Sequence, residues 1–107
     1  MTDRQEKLNS ILLKELAQII NQEIEFPKDI LSTLTHVRCA ANLDSIRIFV
    51  SCLPFDRSKE IINILQKSRQ LILEKLNSRI RLRRMPNLIF KTDECEEFVG
   101  QLNKIEV

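Results

Sequence analysis

Four arginine residues fall within six positions of one short segment, at Arg79, Arg81, Arg83 and Arg84. Like charges this close together repel one another, so a folded domain gains little from the arrangement. A polyanion would make it favourable, because the guanidinium fork matches the geometry of phosphate oxygens. The alternative is a solvated edge strand that uses charge to prevent aggregation. Taken alone, the segment fits both interpretations.

The charge of the chain is unevenly distributed. Over 107 residues the net charge is only +2, but residues 67–91 carry eight cations against one anion, which leaves the remainder of the chain acidic. This asymmetry gives one end of the molecule a positive field, a usual footprint of a nucleic-acid partner. Lys67, Arg69 and Lys75 are therefore candidate phosphate contacts together with the four arginines.

Few residues could hold a metal ion or perform catalysis. Cys39, Cys52 and Cys95 are widely spaced, no CxxC pair is present, and His36 is the single histidine, so a zinc ligand set is lacking. We identify no acid, base or nucleophile to accompany His36, and interpret it as structural. We therefore expect no metal, no cofactor and no enzymatic activity.

The cysteines and the apolar runs also indicate a cellular location. Cys39 and Cys52 occupy apolar strand positions and are expected to be buried, reduced thiols, as suits a cytoplasmic protein. We find no signal peptide and no stretch near the ~20 apolar residues of a membrane span. We therefore expect no membrane partner.

Apolar periodicity predicts five regular elements. Apolar residues recur at helical spacing in residues 4–25 and 57–78. Alternation with a period of two predicts strands over residues 31–41, 45–53 and 79–91. Each helical stretch has a single apolar stripe. The order therefore predicts a two-layer α+β domain with the helices on one face of a three-stranded sheet.

Three irregularities are predicted within these elements. Leu34 has the opposite parity to the later apolar residues of its strand, so a bulge near Thr35-His36 is needed to bring them to one face. A small polar residue interrupts the apolar stripe of the second helix, and a straight helix of that length would span about 33 Å. We predict a kink at Ser68-Arg69-Gln70. Pro86 should place the last strand at a sheet edge or break it.

The sheet face away from the helices should be open. It would carry Arg38, Arg47 and Phe49, and Phe49 could stack on an unpaired base. The alternative for Phe49 is a partly covered surface aromatic. Arg38 and Arg47, with Lys28 from the loop after the first helix, are secondary candidates for phosphate contact.

The residues after position 93 form an acidic segment with a weak helical stripe. We therefore divide the chain into residues 1–93, a nucleic-acid-binding domain, and residues 94–107, an acidic C-terminal tail or short helix. An acidic tail near a basic strand could also compete with nucleic acid for that strand.

Three motifs between Leu8 and Asp93 resemble the ribosome-binding factor A family. The segment Glu23-Ile24-Glu25-Phe26-Pro27-Lys28 is similar to the family's Glu-Ile before an Asp-Pro-Arg loop. The segment Asn42-Leu43-Asp44-Ser45-Ile46-Arg47-Ile48-Phe49-Val50-Ser51 resembles its Asp-Leu turn and following strand. The segment Ile80-Arg81-Leu82-Arg83-Arg84-Met85-Pro86-Asn87-Leu88-Ile89-Phe90 resembles its Leu-Arg-Leu-Arg and Pro-Glu-Leu run. The three occur in the family's order and spacing.

The resemblance implies a type II KH-like fold with the order α-β-β-α-kink-α-β. It implies a ribosome biogenesis factor, without enzymatic activity, that binds 16S rRNA in the immature small (30S) ribosomal subunit and assists its maturation; we expect a monomer. The chain departs from the family at the kink, where Ser68-Arg69-Gln70 replaces Ala-x-Gly. The Gly-x-x-Gly loop of ordinary KH domains is absent, since Gly100 is the single glycine.

Two rival classes of function remain beside this one. An enzyme would have to use the carboxylates of Asp93, Glu94, Glu96 and Glu97, on which Mg²⁺ could sit, but the sequence implies no substrate pocket. The other class is a KH-like protein-interaction module without direct RNA binding, in which the acidic tail or the first helix is the working surface. Salt-dependent RNA binding separates this module from the ribosomal factor, because a module that binds only protein has no RNA affinity for salt to weaken.

Overall fold

The computed structural model of the protein describes residues 3–93. Three helices and three strands occur in the predicted order, with a short 3-10 turn before the second helix. Their bounds are α1 Asp3–Glu23, β1 Leu31–Cys39, β2 Ser45–Leu53, the 3-10 turn Phe55–Arg57, α2 Ser58–Lys67, α3 Arg69–Arg79 and β3 Asn87–Thr92. The predicted α+β, type II KH-like order is confirmed. Residues 94–107, for which we predicted a tail or short helix, lie outside the described residues.

The three strands form one sheet in the order β1-β2-β3. β1 is antiparallel to β2, and β3 is parallel to β2, so β3 lies at an edge as predicted. The predicted bulge in β1 is also confirmed, because Leu34 pairs with Val50 while His36 pairs with Phe49. Thr35 is the extra residue, and it returns Val37 to the face that carries Leu34.

All three helices contribute to a core on one face of the sheet. Leu16 of α1, Leu65 of α2 and Ile72 of α3 are fully buried there, against Ile46 and Ile48 of β2. Each such side chain contributes roughly 1.5–3 kcal/mol of burial free energy. No helix of residues 3–93 combines the length and hydrophobicity needed to cross a bilayer.

Two of the three cysteines lie in this core. Cys39 and Cys52 are buried free thiols, as predicted. Burial raises the pKa of the Cys39 thiol, so it stays protonated and unreactive. Their role is therefore packing.

The predicted helix break occurs at Ser68. Its backbone has φ −95° and ψ 6°, and its N–H is shared between the carbonyls of Ile64 and Leu65, each at 3.1 Å. α3 then begins at Arg69, so Gln70 lies within a helix and the break needs no glycine. The change of direction lets both helices bury their apolar stripes on one sheet.

The prediction of a strand beginning at residue 79 is wrong. α3 continues through Arg79, and residues 80–86 are an irregular connection to β3. The alternation still corresponds to alternating burial, because Ile80 and Leu82 pack against the core while Arg81 and Arg83 are exposed. An extended segment gives this pattern without pairing to a neighbour. The first helix and the first strand also each end two residues earlier than predicted, at Glu23 and Cys39.

Candidate nucleic-acid interface

Three pieces of chain meet at one end of the sheet, which we call the basic end: the β1–β2 turn (residues 40–44), the connection 80–86 and the start of β3. The Asn87 N–H donates to the Asp44 carbonyl oxygen at 2.9 Å, which joins β3 to the turn. The side chain of Arg69 reaches the same point, with Nη1 3.5 Å from Asn87 Oδ1. The helix break therefore adds a cation to the basic end.

The connection 80–86 presents three arginines to solvent at this end. Arg81 and Arg83 are exposed, and neither has a hydrogen-bond or ion-pair partner among residues 3–93. Arg84 is 79% exposed and lies 3.5 Å from an oxygen of Asp44, a geometry that contributes little to stability. The three guanidinium groups are thus available to an external anion.

Two further arginines face each other on the open side of the sheet. Arg38 of β1 and Arg47 of β2 are direct partners in the antiparallel register, and both are exposed. Like charges in directly opposed positions destabilise a sheet by roughly 0.2–1 kcal/mol. The pair is next to the β1–β2 turn, so it continues the positive surface of the basic end onto the sheet.

Of the two interpretations of Phe49, the structure agrees with a covered aromatic and not with one that is available to an unpaired base. Phe49 is on the open face, but it is only 3% exposed. Its ring stacks on His36, with the centroids 4.2 Å apart and an interplanar angle of 20°. His36 Nδ1 lies 3.9 Å from Asp93 Oδ1. His36 therefore packs on Phe49 beside an acidic side chain that sequence reasoning did not identify, and its structural role stays a prediction.

Arg79 is turned away from the basic end and binds to α1. One guanidinium nitrogen donates to Glu15 Oε2 at 3.0 Å and to Gln18 Oε1 at 2.9 Å, and the other donates to Gln22 Oε1 at 2.9 Å. All three acceptors lie on successive turns of α1. Arg79 therefore joins α3 to α1. Its guanidinium group is already bound by protein acceptors, whereas those of Arg81 and Arg83 have no partner among residues 3–93.

The structure separates Lys28 from the other candidates. Lys28 precedes β1, whose nine residues extend roughly 27 Å between it and the β1–β2 turn. Its neighbour Asp29 pairs with Arg57, which also donates to both carboxylate oxygens of Glu60 at 2.8 and 2.9 Å. Sequence reasoning did not identify this ion-pair network.

The two remaining candidate cations lie on the helices. Lys67 ends α2 and Lys75 lies on α3, and both are exposed.

The β1–β2 turn was predicted only as a connection, but its conformation contributes to the site. Asn42 Oδ1 accepts a hydrogen bond from the Asp44 N–H at 3.1 Å, and Asn42 Nδ2 donates to Asp44 Oδ2 at 2.7 Å. Leu43 between them has φ 60°. Asn and Asp are the sequence signal for such a turn, but nothing in the sequence places a leucine in the left-handed region.

Among residues 3–93 no cluster of potential metal ligands occurs.

Comparison with known proteins identifies relatives over most of the chain. The model of the family described as Ribosome-binding factor A matches residues 4–106. Ribosome-binding factor A of Desulforamulus reducens is 35% identical over 94 residues, which cover 87% of this chain and 78% of the relative. The crystal structure of ribosome-binding factor A from Thermus thermophilus superimposes with a TM-score of 0.73 and 26% identity, over 82% of this chain and 94% of that one.

A second structural comparison concerns a protein in a complex. A homology model of the Thermus thermophilus factor, fitted into a cryo-EM map of a 30S–RbfA complex, superimposes with a TM-score of 0.68 and 24% identity. The match covers 83% of this chain and 94% of that one. This likeness agrees with the fold described above.

Proposed function

The chain belongs to the ribosome-binding factor A family, and on this premise we propose that it binds 16S rRNA in the immature small ribosomal subunit and assists its maturation. The Thermus protein of the family is seen with the 30S subunit, which supports the choice of this particle. The protein would act in the cytoplasm as a monomer and without catalysis.

The opposed pair Arg38 and Arg47 is the observation that carries the proposal. Arg47 lies on the middle strand, and its backbone pairs with both neighbours, so the Cα atoms of Arg38 and Arg47 are held in opposed positions. A phosphate group between the two guanidinium groups would replace repulsion by two charge-assisted hydrogen bonds. The two guanidinium groups repel each other in the free protein and would be stabilised by a bound anion. This arrangement indicates a polyanionic partner.

The cations of the basic end extend this pair into a continuous surface. Arg81, Arg83 and Arg84 lie around the β1–β2 turn, and Arg69 lies beside the start of β3. Most hydrogen bonds from proteins to nucleic acids go to phosphate and sugar, and these fix orientation without carrying sequence information. We therefore propose that the protein recognises the shape of a folded rRNA junction. Lys67 and Lys75 would add contacts from the adjacent helices.

Two of the candidate cations have geometry that argues against RNA contact. Arg79 already satisfies three acceptors on α1. Lys28 is at the opposite end of β1 from the turn. Our proposed RNA-binding set is therefore Arg38, Arg47, Lys67, Arg69, Lys75, Arg81, Arg83 and Arg84.

The test is co-sedimentation with small subunits and their precursor particles across a salt series. A protein that contacts at least six phosphates should lose roughly 10³-fold in affinity between 50 and 200 mM salt. The double variant Arg81→Glu/Arg83→Glu should lose binding at all salt concentrations. Circular dichroism should show it to be folded, because both side chains are exposed and without partners among residues 3–93.

The matched control is Lys28→Glu/Lys59→Glu, which changes the net charge by the same amount at the far end of the sheet. Both lysines are exposed, and binding should stay within a few-fold of wild type. Equal loss in both double variants would mean that net charge and not the basic end is recognised. Salt-insensitive binding retained in both would favour the protein-interaction alternative, and no binding by wild type at low salt would end the ribosomal proposal.

A further inference from the structure

A cleft of about 550 Å³ opens at the basic end between the β1–β2 turn and the connection 80–86. The residues that line it are Asn42, Leu43, Arg81, Leu82, Arg83 and Arg84. Its volume falls within the range of sites that hold small organic groups in proteins. A flat phosphate-binding surface needs no such cleft, so this one offers room for a ligand that brings an uncharged group as well as its charge.

The floor of the cleft is apolar. Leu43 and Leu82 are both half-buried and pack against the edge of the core, while the rest of each side chain faces the cleft. Leu43 is held there by its left-handed backbone, φ 60°, a conformation that is uncommon for a leucine. The hydrogen bonds between Asn42 and Asp44 on either side keep the turn in this shape. Residues in sparsely populated backbone regions concentrate at ligand sites.

The rim of the cleft is cationic. Arg81 and Arg83 are without partners among the residues that the structure describes, and Arg84 makes only a long contact to Asp44. A guanidinium plane stacks on a nucleobase as well as it forks a phosphate. The combination of an apolar floor with three guanidinium groups on the rim fits a planar heterocycle joined to phosphates.

We infer that the cleft takes one unpaired nucleotide of RNA, with its base over Leu43 and Leu82 and its phosphates on the arginines. This inference rests on the proposed function and adds its ligand: a nucleotide extruded from a bulge or junction. A continuous A-form duplex keeps its bases stacked inside and offers phosphates, sugars and base edges, but no unstacked base, to the same residues. The protein should therefore distinguish a bulged RNA from a fully paired one.

The experiment compares two RNA hairpins of equal length, one fully paired and one with a single bulged 2-aminopurine. We expect wild type to bind the bulged hairpin roughly tenfold more tightly, an effect of about 1.4 kcal/mol, since the base would bury about 60 Å² of apolar surface on the two leucines. The 2-aminopurine fluorescence should change on binding. Equal affinity for the two hairpins, or no binding to either, overturns the inference and leaves the proposed function intact, because that function is tested separately by co-sedimentation with the subunit.

Leu43→Gly tests where the base lies. Glycine adopts φ 60° without strain, so the variant removes the floor of the cleft and keeps the turn. We expect it to lose the preference for the bulge and retain the affinity for the paired hairpin. The matched control is Leu31→Gly, at a leucine that is 67% exposed at the opposite end of β1. It should keep the preference.

A second variant guards against a folding defect in Leu43→Gly. Arg83 is exposed, so Arg83→Gln should fold normally; it should lower the ratio of bulged to paired affinity at least threefold. If both variants keep the wild-type ratio and the fluorescence change, the nucleotide does not bind in this cleft and the inference fails.

Discussion

Replacement of Arg79 by methionine should destabilise the fold and leave RNA binding nearly unchanged. Its side chain is 31% exposed and its guanidinium group makes three hydrogen bonds to α1, one of them to the carboxylate of Glu15, which is 26% exposed. Methionine retains much of the apolar stem and removes only the donors. The variant therefore isolates the polar connection between α3 and α1.

The magnitude follows from the contacts. A hydrogen bond contributes about 0.5–1.5 kcal/mol net, and partial exposure puts the two bonds to glutamine at the lower end of this range. The pair with Glu15 adds about 0.5–1 kcal/mol, because it is less exposed than a surface ion pair. Arg79→Met should thus reduce the free energy of unfolding by about 1.5–2 kcal/mol. For a domain of this size the urea midpoint should fall by about 1 M.

Urea unfolding followed by circular dichroism measures this change. Arg83→Met is the control, since it makes the same substitution at an arginine without partners among residues 3–93, and should stay within about 0.5 kcal/mol of wild type. Co-sedimentation with small subunits should show the opposite ranking, because Arg83→Met, the more stable variant, should bind the subunit more weakly than Arg79→Met. An Arg79→Met protein that unfolds at the wild-type midpoint, or that loses subunit binding while remaining stable, would refute this assignment.

Three further predictions concern other parts of the fold. Arg47→Thr should raise stability at low salt by about 0.5 kcal/mol, because it removes the repulsion with Arg38, and should weaken subunit binding; thermal unfolding and co-sedimentation check both effects. Gln70→Gly should lower stability by about 0.5–1 kcal/mol in urea unfolding, because position 70 is helical, and a stabilising effect would show that the break extends into α3. Arg57→Met should lower the urea midpoint at pH 7 and have less effect at pH 3. The hydrogen bonds from Arg57 hold the pKa of Glu60 below its ordinary value, so their contribution is complete above the unfolded pKa of about 4.3 and is lost as pH falls through the folded pKa. A difference independent of pH would contradict that linkage.

The elements that could be predicted were those with a strong local signal. Parity alone located the bulge at Thr35-His36, since one extra residue was required for the strand to have an apolar face. The break at Ser68 followed from helix length and a polar residue in the stripe. The extended segment after Arg79 was misassigned as a strand, because alternation reports burial on one side and does not report a hydrogen-bonded neighbour.

The sequence predicted that the candidate site is rich in cations, but it could not predict which of the cations belong to the site. Charge counts identified the region of residues 67–91, but they could not separate Arg79, which contacts α1, from Arg83, which contacts solvent. Phe49 had the correct parity for the open face, yet the stacked ring of His36 covers it. Both outcomes depend on residues distant in the chain, and a local pattern contains no information about them.

The amino-acid sequence by itself determined the order of the elements, the face of each that is buried, the net charge of the basic region and the family resemblance. These properties depend on side-chain type and on spacing along the backbone, which are local. Tertiary structure decided which cations are available, the opposition of Arg38 and Arg47, and the cleft beside Leu43. Each of these needs two or more pieces of chain to meet, and the register and packing that bring them together exist only once the core has formed.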